Sequence, residues 1–148
     1  MRLKIRQRFG MTKPFKLLLP EATIYVYMTN HSTLRWTWTD GSSASMGFPV
    51  YWRHHAKGNF VAGKLHVTSG VRHVPFIGAY STEWVCGNDT LLDKHGWCGG
   101  TIYGTDRRRL ACWRLRCGGG ECVLSDSLSD ELRGIVLGIV IGSLYRGG

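Results

Sequence analysis

The sequence predicts an α+β fold, a single sheet-rich domain with a C-terminal helix. Short β-branched and aromatic runs follow one another through most of the chain, punctuated by Gly, Asn and Ser in the manner of sheets. Near the end, a Ser with an acid three residues on precedes an apolar tail, which marks a helix start. The chain has 148 residues, 43% hydrophobic and 11% aromatic, the size of one core with enough apolar area to offset the entropy of ordering.

In chain order, Met1 to Lys16 carries Arg2, Lys4, Arg6, Arg8, Lys13 and Lys16 and no acid. It reads as a basic N-terminal arm over residues 1–16 that stays solvated, ahead of one domain over 17–148. Ala22 to Met28 is β-branched and aromatic, and Leu34, Trp36 and Trp38 alternate with Arg35, Thr37 and Thr39; both read as strands. Asp40-Gly41-Ser42-Ser43 is a turn. Phe48 to Arg53, Phe60 to Val67, Val71 to Ala79 and Thr82 to Cys86 are further strands. Over residues 86–122 the character changes to Cys, His, Gly and Arg, with sheet expected to about Cys117. A helix begins near Ser127, where Asp130 and Glu131 suit the positive end of its dipole. Gly134, Gly138 and Gly142 and the β-branched Ile135, Val136, Ile139, Val140 and Ile141 lower helix propensity, so its second half could be a strand.

Net charge is +9, which points to a polyanionic partner or compartment. The longest apolar run, Gly134 to Tyr145, falls short of the roughly 18 to 20 residues that span a bilayer, and no membrane role is expected. The amino terminus lacks a sustained apolar centre with a small-residue cleavage site. With five cysteines, an odd number, a reducing compartment and free, core-packing or metal-binding thiols follow.

Cys98, Cys112, Cys117 and Cys122 are the candidate zinc ligands, with Cys86 and His95 nearby. Zinc takes four such ligands converging at about 2.0 to 2.3 Å, usually from local pairs, and the four-residue gaps here are at the outer edge of that pattern. Small buried hydrophobes would read the same way. His31-Ser32, His54-His55, His66, His73 and His95 sit in no nucleophile-and-base pattern, so no enzymatic activity is expected. Gly118 to Gly120 lacks the Lys-Ser/Thr of a phosphate-binding loop.

Arg107, Arg108, Arg109, Arg114 and Arg116 lie among Tyr103 and Trp113. Guanidinium groups bind phosphates and aromatic rings stack on unpaired bases, which suits RNA or single-stranded DNA; the alternative is a solvated strand face with Leu110, Ala111 and Leu115 turned inward. Ser127, Leu128, Leu132 and Val136 form a partner-binding stripe at helical spacing, which serves equally as a core face or as anchors in a partner's groove. Gly134, Gly138 and Gly142, four apart, would also let the tail pack closely against another copy.

Leu18-Leu19-Pro20-Glu21, Gly47-Phe48 ahead of Tyr51-Trp52, and Trp113-Arg114-Leu115-Arg116-Cys117 with Cys122 beyond resemble the adenovirus early-region-four thirty-four-kilodalton protein family, in order over Leu18 to Val136. Tyr51-Trp52-Arg53-His54-His55 and Leu65-His66-Val67 are similar to pieces of the lentiviral infectivity factors. Both resemblances imply a viral early or accessory adaptor; the first implies in addition a viral partner protein, and the host nucleus is the expected location. Such adaptors recruit a host cullin ubiquitin ligase through elongin C and direct host proteins to degradation. The first family's elongin-binding box begins Ser/Ala/Thr-Leu and has an aliphatic at its tenth place, matched by Ser127, Leu128 and Val136; Leu132 stands where that box has a small residue. The expected function is therefore a zinc-stabilised, non-enzymatic ligase adaptor. The alternatives are a basic RNA-binding regulator and a small self-associating structural protein.

Overall fold

The computed structural model describes residues 1–7, 15–30, 33–38, 40–47, 59–62, 65–76, 79–96, 98–116 and 119–147. Its strands are β1 (Arg2–Gln7), β2 (Phe15–Leu18), β3 (Thr23–Asn30), β4 (Thr33–Thr37), β5 (Ser43–Gly47) and β6 (Asn59–Ala62). They continue with β7 (Leu65–Phe76), β8 (Ala79–Cys86), β9 (Asp89–Gly96), β10 (Gly99–Tyr103), β11 (Arg109–Arg116) and β12 (Gly119–Leu124), and one helix, α1 (Asp130–Gly147), ends the chain. Each strand pairs antiparallel with its neighbours in sequence, and β12 returns to β1 to close a barrel. The sheet-rich reading with a C-terminal helix holds, and the sheet's closure into a barrel goes beyond it.

Strict alternation builds the wall. Leu3 and Ile5 point inward between the exposed Arg2, Lys4 and Arg6, and Ile24 and Val26 between Thr23, Tyr25 and Tyr27. The same alternation places Leu34, Trp36, Met46, Phe60, Trp84, Leu91, Ile102, Trp113 and Cys122 inside. Apolar residues within and charged residues without are the reverse of a lipid-facing barrel. No helix among the described residues is long and apolar enough to cross a membrane.

A closed sheet of this size needs filling, because barrel diameter grows with strand number and about eight strands already enclose just enough room for side chains. Helix α1 fills it. Every residue from Ile135 to Leu144 that bears a large apolar side chain is buried, as expected of a helix hydrophobic all round. The helix runs unbroken to Gly147, so its second half is not a strand. Burial against the wall overrides the low propensity of its glycines and β-branched residues.

Those glycines have a local cause. A Cβ at Gly138 would fall 2.5 Å from Phe60 Cζ, and one at Gly142 would fall 2.7 Å from Met46 Sδ. At Gly138 and Gly142 the row meets large inward side chains of its own barrel, not another copy.

The helix begins two residues later than the Ser127 motif suggests. Ser129 Oγ accepts the Leu132 amide at 3.2 Å, which makes Ser129 the cap, while Ser127 lies in the preceding turn with its hydroxyl 2.8 Å from that of Ser125. Arg133 pairs with Glu21 in the β2–β3 turn and ties the helix start to the rim. Deeper in, Ser143 Oγ donates to Asp93 Oδ2 at 2.5 Å and His95 Nδ1 lies 3.2 Å from the same oxygen, all three side chains being buried.

Within the amino-terminal segment, expected to be a solvated arm, residues 2–7 and 15–18 are wall strands; residues 8–14 lie outside the described residues. The strand expected over Phe48 to Arg53 lies outside the described residues, as do His31, His54 and His55.

Candidate nucleic-acid interface

The Arg-rich block divides between the two ends of the barrel. Arg107 and Arg108 lie in the β10–β11 turn, where Arg107 takes a left-handed φ of 64°. Arg108 Nε pairs with Asp106 Oδ2 at 3.4 Å, and Arg109 opens β11. These three lie at the end of the barrel at which β12 finishes. Arg114 and Arg116 lie five and seven residues further along β11, roughly 17 to 23 Å away at a strand rise of about 3.3 Å per residue. All five side chains are exposed, and one patch does not hold them all.

Arg114 and Arg116 instead join cations that sequence reading assigned to the arm. In the register of the wall, Arg116 is opposite Gly119, Gly119 opposite Arg6, Arg6 opposite Lys16, and Lys16 opposite Tyr25. This row crosses β11, β12, β1, β2 and β3. At about 4.8 Å per strand it is ~19 Å long. It holds three cations and no acid, and ends on Tyr25, 58% exposed, with the Lys16 ammonium 5.1 Å from the ring centre. Tyr27, also exposed, projects from the same face one step along β3.

In the adjacent row Arg114 is opposite Glu121, and Glu121 opposite Lys4. Among the described residues, none of Lys4, Arg6, Arg114 or Arg116 is in an ion pair. Their charges are therefore open to a ligand.

Glycine shapes the centre of this wall. Gly119 leaves the space between Arg116 and Arg6 free of side chain, and a Cβ there would lie 2.5 Å from the Ile5 carbonyl oxygen. Gly120, pointing the other way, faces the Arg114 carbonyl just as closely. The result is an open trough of about 400 Å³ lined by Lys4, Arg6, Arg114 and Arg116, by the one acid Glu121, and floored by the two glycines. At the Gly119 end, between Arg6 and Arg116 and away from Glu121, backbone in the floor and guanidinium groups at the sides suit an oxyanion. The available signal was the Arg2-Leu3-Lys4-Ile5-Arg6 alternation, which is a strand pattern as well as a run of charge.

The described cysteines do not converge on one site. Cys112 projects outward opposite the exposed Val123, while Cys122 projects inward opposite Leu3 and Trp113. These two ligands stand on opposite faces of one wall. Cys98 is exposed in the β9–β10 turn, and Cys117 lies outside the described residues. No group of three or more His, Cys, Asp or Glu that could hold a metal comes together among the described residues. Burial, then the nearby Cys112, pushes the Cys122 thiol up to about 12, far from the ionised form that metals bind.

The partner-binding stripe is divided too. Ser127 is exposed, Leu128 and Leu132 are half-buried against the core, and Val136 is fully buried inside the barrel.

Fold and surface together define a class: an antiparallel barrel filled by its own C-terminal helix, with one basic, tyrosine-edged outer wall. Comparison with protein-family models, curated proteins and solved structures finds no match. The viral resemblances therefore rest on their short motifs alone.

Proposed function

We propose that this protein is a non-enzymatic binder of single-stranded nucleic acid, RNA or DNA, held on the outer wall formed by β11, β12, β1, β2 and β3. The observation that carries the reading is the row from Arg116 through Arg6 and Lys16 to Tyr25. It combines the two elements such binding uses, cations that follow a phosphate backbone and an exposed ring on which a base stacks. Docking into elongin C, by contrast, would require Val136 to leave the barrel interior, and the wall offers the firmer footing.

The test is anisotropy titration of a labelled oligo-uridylate and an oligo-thymidylate across a salt series. With three to five phosphates neutralised, log K should fall against log salt with a slope of about −2 to −3.5. Arg6→Ala with Arg116→Ala should flatten that slope by about 1.4. Tyr25→Ala should weaken binding by ~1–3 kcal/mol with the slope unchanged. Binding that ignores salt, or that survives all three substitutions, would refute the reading.

A further inference from the structure

The basic row ends on one tyrosine, and a second stands beyond it. Tyr25 and Tyr27 are the exposed aromatic side chains among the described residues, whereas Trp36, Trp84, Trp113 and Phe60 are inside. The two share the outward face of β3 at positions i and i+2, roughly 6.7 Å apart.

Each ring has a cation across from it. Lys16 on β2 is opposite Tyr25, and Arg35 on β4 is opposite Tyr27. Arg35 is exposed and, among the described residues, is in no ion pair. Its other described outward neighbours, Thr37 two residues along and Ser45 opposite it on β5, carry no charge. One unit, a ring with a cation in register, therefore occurs twice, with the cations on opposite sides of β3. The acid of the wall is on the far side: the row of Glu121 runs through Lys4 and Leu18 to Thr23, away from Tyr27.

Spacing decides how a strand crosses both units. Lys16 and Arg35 are separated by two strand spacings and one step along the strand, roughly 12 Å. Two nucleotides stacked as in a duplex strand advance only ~7 Å and fall short. A strand with its bases splayed covers the interval and offers each tyrosine its own base, and unstacked bases laid on aromatic rings are the form in which proteins take single strands.

Resting on the single-strand reading above, we propose that Tyr27 and Arg35 form a second nucleotide site. The wall then holds two consecutive unstacked nucleotides, one base on Tyr25 beside Lys16 and the next on Tyr27 beside Arg35. Both contacts use the face of a base and a phosphate, so neither requires a particular sequence.

The experiment titrates the full chain with labelled oligo-thymidylate and with the same sugar-phosphate chain lacking bases. The proteins are wild type, Tyr27→Leu, Tyr27→Trp, Arg35→Gln, Tyr25→Leu and the double Leu variant, each shown to be folded by thermal melting. Tyr27→Leu should weaken oligo-thymidylate binding by roughly 5- to 150-fold and leave the baseless chain unaffected, while Tyr27→Trp retains affinity. Arg35→Gln should flatten the salt slope by about 0.7 for both ligands. The losses at Tyr25 and Tyr27 should multiply in the double variant. An equal loss on both ligands for Tyr27→Leu, an unchanged slope for Arg35→Gln, or a double variant no weaker than either single one overturns the second site. So does an unchanged Tyr27→Leu while Tyr25→Leu still weakens binding, a result that leaves the wall reading standing. Failure of the wild-type protein to bind oligo-thymidylate defeats that reading, and this proposal with it.

Discussion

Replacing Gly138 by Ala in α1 sets two effects of opposite sign against each other. In a helix interior, Gly→Ala is worth ~0.8–1.0 kcal/mol of added propensity. The new methyl, however, would lie 2.5 Å from Phe60 Cζ and 2.9 Å from Cδ2, where ordinary carbon contacts need about 3.5–4.0 Å. The ring has little room to withdraw. It is 3% exposed, 6.1 Å from the Trp36 ring and 5.7 Å from the Trp84 ring, centre to centre. Overpacking of this kind costs ~1–3 kcal/mol, and with the ring pinned on two sides a net loss of ~1–2 kcal/mol follows. At ~2–4 °C per kcal/mol for a chain of this size, Tm falls by roughly 2–8 °C. Gly134→Ala is the matched control, because its nearest neighbour would be Ala62 Cβ at 3.9 Å; propensity then wins and Tm rises by roughly 2–4 °C. Thermal melts followed by circular dichroism read both. In a Phe60→Ala background the obstacle is gone and Gly138→Ala should turn stabilising, a coupling that a double-mutant cycle measures. If Gly138→Ala stabilises the wild-type protein as much as Gly134→Ala does, Phe60 does not abut the helix and the account of the filled barrel is wrong.

Two further outcomes test the interior. Ser143→Ala removes the hydroxyl that donates to the buried Asp93 carboxyl and should cost ~1–3 kcal/mol in urea unfolding; a loss below ~0.5 kcal/mol would show that the contact does not hold the helix. In the folded protein at neutral pH, a maleimide should modify the exposed Cys98 quickly and the buried Cys122 only through unfolding, as read by peptide mass spectrometry, and equal rates would contradict the inward placement of Cys122. Because burial raises the Cys122 pKa from 9.0 to about 12, its neutral thiol contributes stability that is full below pH 9 and lost as pH climbs toward 12.

Local pattern carried the wall strands well. Val26 and Trp36 read as strand residues from the alternation around them, and they stand opposite each other in register. The closure was not legible, because it depends on β1 meeting β12, Leu3 against Cys122, across most of the chain. Charge also concealed pattern: Arg2, Lys4 and Arg6 suggested a solvated arm, although Leu3 and Ile5 between them are core residues. In α1 the misleading residues were the glycines, since intrinsic propensity counts Gly138 as a weakness without reference to what stands against it. Phe60 supplies that reference and comes from a strand far away in sequence.

The same reasoning explains why the basic surface escaped a reading by blocks. Arg107 to Arg116 is contiguous in sequence, but a strand carries it from one end of the barrel to the other, so adjacency along the chain separates these charges in space. Arg6 and Arg116, 110 residues apart in number, become neighbours but one through Gly119. Gly119 has to be glycine because the wall's own backbone leaves no room for a Cβ, and that lack of a side chain opens the trough between the two guanidinium groups. A packing constraint on the barrel thus creates the surface feature on which the proposed binding depends. A substitution at Gly119 should for that reason damage folding and binding together, whereas Arg6 and Arg116, exposed and in no ion pair among the described residues, can be changed to separate the two.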